Sequence, residues 1–330
     1  MRRAVPCPPR PHRFGPFAVV VGAACAACAL FGCGAAPSDL YGDPRGGGGD
    51  GGPSVVAACS SDATIGVPRN GHPTWEERLA LYAADRARAE PGKTGWPDFP
   101  SVPPLLWNDQ LGQAALAHSV DMRDTPCFQH QSCDGTDPFM RIKSFFTASF
   151  SSMGENIAAG VTDPITAIEQ SWINEKGAAP GEDGHRRNMF DKGFNLVGFG
   201  YADGGHRFKG YWTQDLAASA ASPARLAVGS HFAAAGPAGT LTFGAVYYDA
   251  GAAAPERVEV LIDGAASRLT LVRGKSAAGA YEGTVAIPAT GCHRYHFRAI
   301  TAGAVSCYPG TGTLGAAATA AIACPDYQAD

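Results

Sequence analysis

The chain has 330 residues, 45% of them apolar and only 17% charged, with 42 glycines and 25 prolines. That length leaves room for roughly two domains, and the composition suits an exported, loop-containing protein. A formal net charge of −4, with no cluster or stripe of Lys and Arg, argues against DNA or RNA as a partner.

The first 32 residues read as an export signal. Arg2, Arg3, Arg10 and Arg13 form a positive start, and the apolar stretch from Ala18 to Gly32 is short for a membrane span. Leu30-Phe31-Gly32-Cys33 resembles a bacterial lipoprotein cleavage box, which makes Cys33 the expected lipid site and a membrane the expected partner through that anchor. Four of the 26 basic residues and none of the 30 acidic ones lie in this leader, so without it the net charge is −8. Residues 33–57 include Gly46-Gly47-Gly48-Gly49 and read as a flexible tether. Beyond Cys33 six cysteines remain: Cys59, Cys127, Cys133, Cys292, Cys307 and Cys324. An even number in an exported chain favours disulfides. Cys127 with Cys133 is the plausible local pair, and one of the three C-terminal cysteines has Cys59 as its candidate partner.

The first helix starts at Thr74, where Thr74-Trp75-Glu76-Glu77 is a capping box ahead of Leu79, Tyr82 and Arg86. A second runs from Asn108 to Arg123 with Leu111, Ala115, His118 and Met122 on one face; His118 there reads as a core histidine with one hydrogen-bond partner. A third follows Asp137-Pro138. A fourth has Asp163 as N-cap and Pro164 in its first position. Its stripe of Ile165, Ile168, Trp172 and Glu175 places that carboxylate on the buried face, where a charge needs a partner. Leu196–Ala202 and Phe208–Leu216 are expected to pair around Asp203-Gly204-Gly205. Helices followed by antiparallel strands argue for an α+β sandwich. From about residue 224 short period-two runs take over, among them Val258/Val260/Ile262 and Tyr295/Phe297/Ala299, which suggests a small all-β, Ig-like sandwich over 224–330.

His130, Glu155, Glu175 and His185 sit inside unusual sequence words in fixed order: FQHQS, GENIA, WINE and GHRRNM, followed by YWTQD. Imidazole with carboxylate suits Zn²⁺ and similar divalent ions, general acid–base chemistry, or buried structural hydrogen bonds. No HExxH places two ligands on one helical face, so the residues alone leave these three readings open.

From about residue 73 to 217 the chain resembles the CAP superfamily (cysteine-rich secretory, antigen 5 and pathogenesis-related 1 proteins, also called SCP), in its bacterial secreted branch. The resemblance rests on Arg86-Ala87-Arg88-Ala89, Pro104-Leu105-Leu106-Trp107-Asn108, Ala117-His118-Ser119-Val120-Asp121-Met122, the run from Phe128 to Gly135, GENIA, GHRRNM and YWTQ in family order. It implies a CAP domain over 58–220, an α-β-α sandwich with a central antiparallel sheet and a large cleft. It also implies that His130, Glu155, Glu175 and His185 form the cleft tetrad, with His130 and His185 the ligands of Zn or another divalent cation. Many bacterial relatives lack the counterpart of Glu175, whereas this chain keeps it and adds an insert, Lys176 to Asp183. The expected role is binding of a lipid, small molecule or protein. The competing class is a hydrolase of peptide or envelope polymer, with Glu155 or Glu175 as base on a metal-bound water. A third is an adhesion or scaffold protein acting through the β region. Ser119 and Ser132 are the candidate nucleophiles, and neither sits in a nucleophile-elbow pattern.

Overall fold

A computed structural model of the protein describes residues 65–175 and 182–329. The leader, Cys33, the tether, Cys59 and most of the insert after Glu175 lie outside the described residues. Among the described residues no helix is long and apolar enough to cross a membrane.

Helix α1 (Trp75–Ala89) begins as its capping box requires: Glu77 N donates to Thr74 Oγ1 at 3.3 Å, and Thr74 N to Glu77 Oε2 at 2.9 Å. Strand β1 (Leu106–Trp107), α2 (Asp109–Asp124), α3 (Pro138–Phe145) and β2 (Ser152–Ala159) follow. Next come α4 (Pro164–Thr166, continuing as a π-helix over Ala167–Ile173), α5 (Gly184–Phe190), β3 (Leu196–Asp203) and β4 (Gly210–Ala218). Asn108, Asp137 and Asp163 each cap the helix that follows through a side-chain oxygen, the local signals read from sequence. The β3–β4 connection is longer than a tight turn. Asp203 pairs with Gly210, and Gly204 N reaches Lys209 O at 2.7 Å, so the second strand starts beyond Phe208.

The four strands order as β1-β3-β4-β2. β3, β4 and β2 are antiparallel, while the short β1 runs parallel to β3. Helix α2 lies against one face, and two glycines set how closely. A Cβ at Gly198 would stand 2.0 Å from Gly112 N, and one at Gly200 would stand 2.2 Å from Leu116 N. The helix backbone thus rests on the strand itself. On the other face Trp172 of the π-helix stacks with Phe199 at 6.2 Å between centroids. Helix, sheet and helix give the three layers expected.

After β4 the described residues contain β5 (Leu226–Ala233), β6 (Thr240–Tyr248), β7 (Arg257–Ile262), β8 (Ala265–Lys275), β9 (Ala278–Ala286), β10 (His293–Thr301), β11 (Ala304–Tyr308), β12 (Thr313–Ala316) and β13 (Tyr327–Gln328). The period-two expectation holds in β10, where buried residues alternate with exposed or half-buried ones, whereas β5 and β6, which it did not name, are buried over consecutive residues. Their assembly differs from two separate sheets. The first half of β8 pairs with β7 up to Leu269 and its second half with β9 from Thr270 on, with a register shift inside that second pairing between Leu271 and Arg273. The strands are thereby joined into one curled sheet. The curl brings Gly229 of β5 against the Phe297 ring of β10, where a Cβ would lie 2.3 Å from Cδ2.

Residues on both sides of position 224 share one hydrophobic cluster. α1 is its centre: Leu79, Leu81, Tyr82, Ala83, Ala84 and Ala87 are all buried, so the helix has no solvent face of its own. Tyr82 stacks on Phe232 at 6.0 Å and donates to Glu282 Oε1 at 2.7 Å. Arg78 pairs with Asp326, and Trp75 Nε1 donates to His231 O at 3.0 Å. Disulfides join Cys127 to Cys133 and Cys292 to Cys324. Cys307 is disulfide-bonded as well.

Candidate functional site

Strand β2 is the edge of the four-stranded sheet. Its pleat sends Glu155 to the face that carries α2 and α3, and Asn156 to the face that carries the π-helix and α5. The GENIA word shows no polar–apolar alternation because Gly154, Glu155, Asn156, Ile157 and Ala158 are all buried. Both sides of this edge strand are covered, and the site forms around it.

On the first face His130 Nδ1 donates to Glu155 Oε1 at 2.8 Å. The other Glu155 oxygen takes Arg141 Nη2 of α3, and both members of that pair are buried. Arg141 also donates through Nη1 to His130 O at 3.1 Å and to Ser132 Oγ at 3.0 Å. One guanidinium thus holds the carboxylate and the backbone of the histidine loop together, using the planar fork of donors that arginine offers. The Cys127–Cys133 disulfide closes the same loop.

On the second face Glu175 Oε1 lies 3.0 Å from His185 Nδ1 and accepts His185 N at 3.1 Å, while Oε2 accepts Arg186 N at 3.4 Å. These N–H groups belong to the first turn of α5, which a carboxylate satisfies well. Arg186 returns the favour to the preceding helix: Nε donates to Ile173 O at 2.6 Å, and its guanidinium lies 3.4 Å from the centre of the Trp96 ring. Glu175 is buried as expected, but helical phase is not the reason. The helix has already widened into π geometry, closed by Asn174 N on Glu169 O at 2.9 Å, and Glu175 follows with φ 42°. A left-handed conformation is costly for a residue other than glycine, and here it turns the carboxylate back onto α5. Burial pushes the Glu175 carboxyl up, and the His185 and Arg186 amides offset part of that.

The two imidazoles approach to 6.4 Å between centroids. The structure therefore brings His130, Glu155, Glu175 and His185 together as one constellation. Burial, with His130 adding to it, lowers His185 to about 4, so that ring is neutral at neutral pH. Each histidine uses Nδ1 on a carboxylate, which leaves Nε2 as the remaining ring nitrogen in both. Polar residues of three sequence words hold α5 against the second face. Asn156 Nδ2 donates to Gln214 Oε1 at 2.8 Å and to His185 O at 3.3 Å, and Asn188 Nδ2 donates to Asn156 Oδ1 at 2.9 Å.

Neither candidate serine is poised for attack. Ser119 is fully buried and donates to Gly200 O or Thr213 Oγ1, each at 2.9 Å, and Ser132 accepts from Arg141. His118 is a buried core histidine, its Nε2 3.0 Å from Gln129 O, and burial lowers it to about 4. Asp121 lies near Cys127 and Cys133 at metal-ligand spacing. Those two sulfurs are bonded to each other and Asp121 Oδ2 already accepts Cys133 N at 2.7 Å, so this group lacks the thiolates a metal needs. Sequence reasoning missed Arg141, Arg186, Asn156 and Asn188. An arginine inside the short helix after Asp137-Pro138 was the available signal for Arg141, since a buried cation calls for a buried anion.

Residues 101–216 match the profile of the family described as CAP: Cysteine-rich secretory protein family. Over that segment the chain is similar to a CAP domain. Its CAP segment is 36% identical over 113 residues to "Uncharacterized protein YkwD" of Bacillus subtilis (strain 168), a match that takes in 34% of this chain and 39% of that protein. Among solved structures, the chain is similar to an extracellular protein containing an SCP domain from Bacillus anthracis str. Ames. That likeness has 24% identity and a TM-score of 0.33, covering 44% of this chain and 40% of the other. A second, "NaASP2 with Zn2+", is 16% identical with a TM-score of 0.32 and covers 46% of this chain and 83% of that one.

Proposed function

We propose that this chain is an exported, lipid-anchored CAP-domain protein of the cell envelope. In this reading its cleft holds a divalent cation between His130 and His185 and uses it to bind a lipid, a small molecule or a protein segment. The supporting observation is the pairing of Nδ1 of His130 with Glu155 at 2.8 Å and Nδ1 of His185 with Glu175 at 3.0 Å. A carboxylate on Nδ1 fixes the tautomer that leaves the Nε2 lone pair free, and it makes the ring a better donor to a metal. The donor set, two imidazoles backed by carboxylates, fits Zn²⁺. Held by those two imidazoles, the ion would supply a Lewis-acidic anchor for an oxygen or nitrogen of the bound molecule.

Binding is favoured over turnover because Ser119 and Ser132 are committed to structural hydrogen bonds, and both carboxylates are engaged in orienting histidines. Calorimetric titration of the purified exported form with Zn²⁺ tests the reading. We expect about one equivalent to bind, and none to the H130A/H185A variant. Unchanged stoichiometry in that variant removes the metal site. Chelator-sensitive hydrolysis of a peptide or envelope polymer, lost in E155Q, would overturn binding in favour of catalysis.

A further inference from the structure

Next to the first carboxylate of the site lies a second that has no counter-ion of its own. Asp215 of β4 stands directly opposite Glu155 of β2 in the antiparallel register, so both side chains leave the sheet on the same face. Asp215 is fully buried, and neither of its carboxylate oxygens meets a donor. Its register neighbour on β3 is Gly198, which contributes no side chain. The charged and titratable groups around the pair are Arg141 from α3, His118 from α2 and His130 from the disulfide loop. His118 is neutral there, and Arg141 is already bonded to Glu155. One firmly charged cation therefore faces two buried carboxylates.

An ionised carboxylate without a donor, closed off from water, is far costlier than a protonated one. Burial first, and then the charge of Glu155, drive the Asp215 carboxyl well above its usual range, with Arg141 offsetting only part of the rise. A protonated Asp215 needs one acceptor, and Glu155 is the neighbour with which it can make a side-chain hydrogen bond.

We propose that Asp215 is a positioning residue: as a neutral acid it donates its proton to Glu155 and so fixes the carboxylate that orients His130. The proton stays in a hydrogen bond between the two side chains, and no other bond is made or broken. Glu155 then receives three donors, from His130, Arg141 and Asp215. Its rotation, and with it the direction of His130 Nε2, is set from below the cleft. An ionised aspartate in the same place would repel Glu155. The effect on metal affinity rests on the function proposed above, whereas the protonation of Asp215 does not.

The two are separated by infrared spectroscopy and zinc titration on the same exported protein. With ¹³C-labelled aspartate at pH 7, we expect a carboxylic-acid C=O band in the wild-type spectrum that is lost in D215N. Asp85 is also a buried raised carboxyl, so the reading is the difference between the two spectra. In the titration D215N should keep its zinc affinity within about threefold, because the amide NH₂ replaces the O–H donor. D215A should lose on the order of tenfold. No band in the difference spectrum, or a loss in D215N as large as in D215A, overturns the proposal. A band together with no zinc uptake by the wild type overturns the metal reading and leaves Asp215 as assigned.

Discussion

Replacing Arg141 by methionine removes the cation from Glu155 while keeping most of the apolar stem. The side chains of Arg141 and Glu155 are only 7% and 2% exposed, so water cannot take over the role of the guanidinium. Breaking one side of a buried ion pair costs about 3–5 kcal/mol, against ~0–1 for an exposed pair. The bonds to His130 O at 3.1 Å and Ser132 Oγ at 3.0 Å are lost in the same step. For a folded unit of this size roughly 2–4 °C accompanies each kcal/mol, so thermal unfolding at pH 7 should fall by about 6–20 °C. The second variant, R141M/E155Q, should recover roughly half of that loss, because a neutral amide needs no counter-cation. Circular dichroism melts of the three proteins decide it. A drop of less than about 1 kcal/mol in R141M, or no recovery in the double variant, would refute the picture of Glu155 as a buried carboxylate held by Arg141.

Asp85 gives a pH test. It is fully buried, Leu105 N donates to its Oδ1 at 2.8 Å, and burial pushes its carboxyl up to about 8 from 3.8. Its folded-state value lies above the unfolded one, so its contribution is intact below pH 3.8 and is lost as pH rises towards 8. D85N should therefore match the wild type near pH 4 and exceed its stability by on the order of 2–4 kcal/mol at pH 8; an advantage that does not change with pH would contradict this. Gly244→Ala tests the shared core. The added Cβ would lie 2.3 Å from Tyr82 Cζ, and the overpacking should cost about 1–3 kcal/mol. One cooperative transition should move down in temperature, and a β region that melts separately from the CAP helices would show that α1 does not bind the two parts into one body.

The helix starts were legible because caps are local chemistry: Thr74 with Glu77, and Asn108, Asp137 and Asp163, each act on an amide within three residues. After residue 224 β10 was legible because one buried face imprints a period of two, whereas β5 and β6, buried over consecutive residues, carry no such mark. The π-turn before Glu175 was not, since its Ile168 and Trp172 are compatible with either helix and packing chooses between them. The closure of the β strands onto α1 was equally hidden. It depends on contacts such as Tyr82 with Phe232 and Glu282, which lie far apart in the chain and leave no periodic mark.

The site divides in the same way. Sequence words alone named His130, Glu155, Glu175 and His185, and through cysteine parity the staple beside His130. Tertiary structure decided how four residues on two faces of a sheet come together in one constellation. A strand pleat points Glu155 and Asn156 in opposite directions, so partners gathered on the two faces can meet only around a free edge. β2 is that edge, and the order of strands in a sheet is a property that no local stretch of sequence contains.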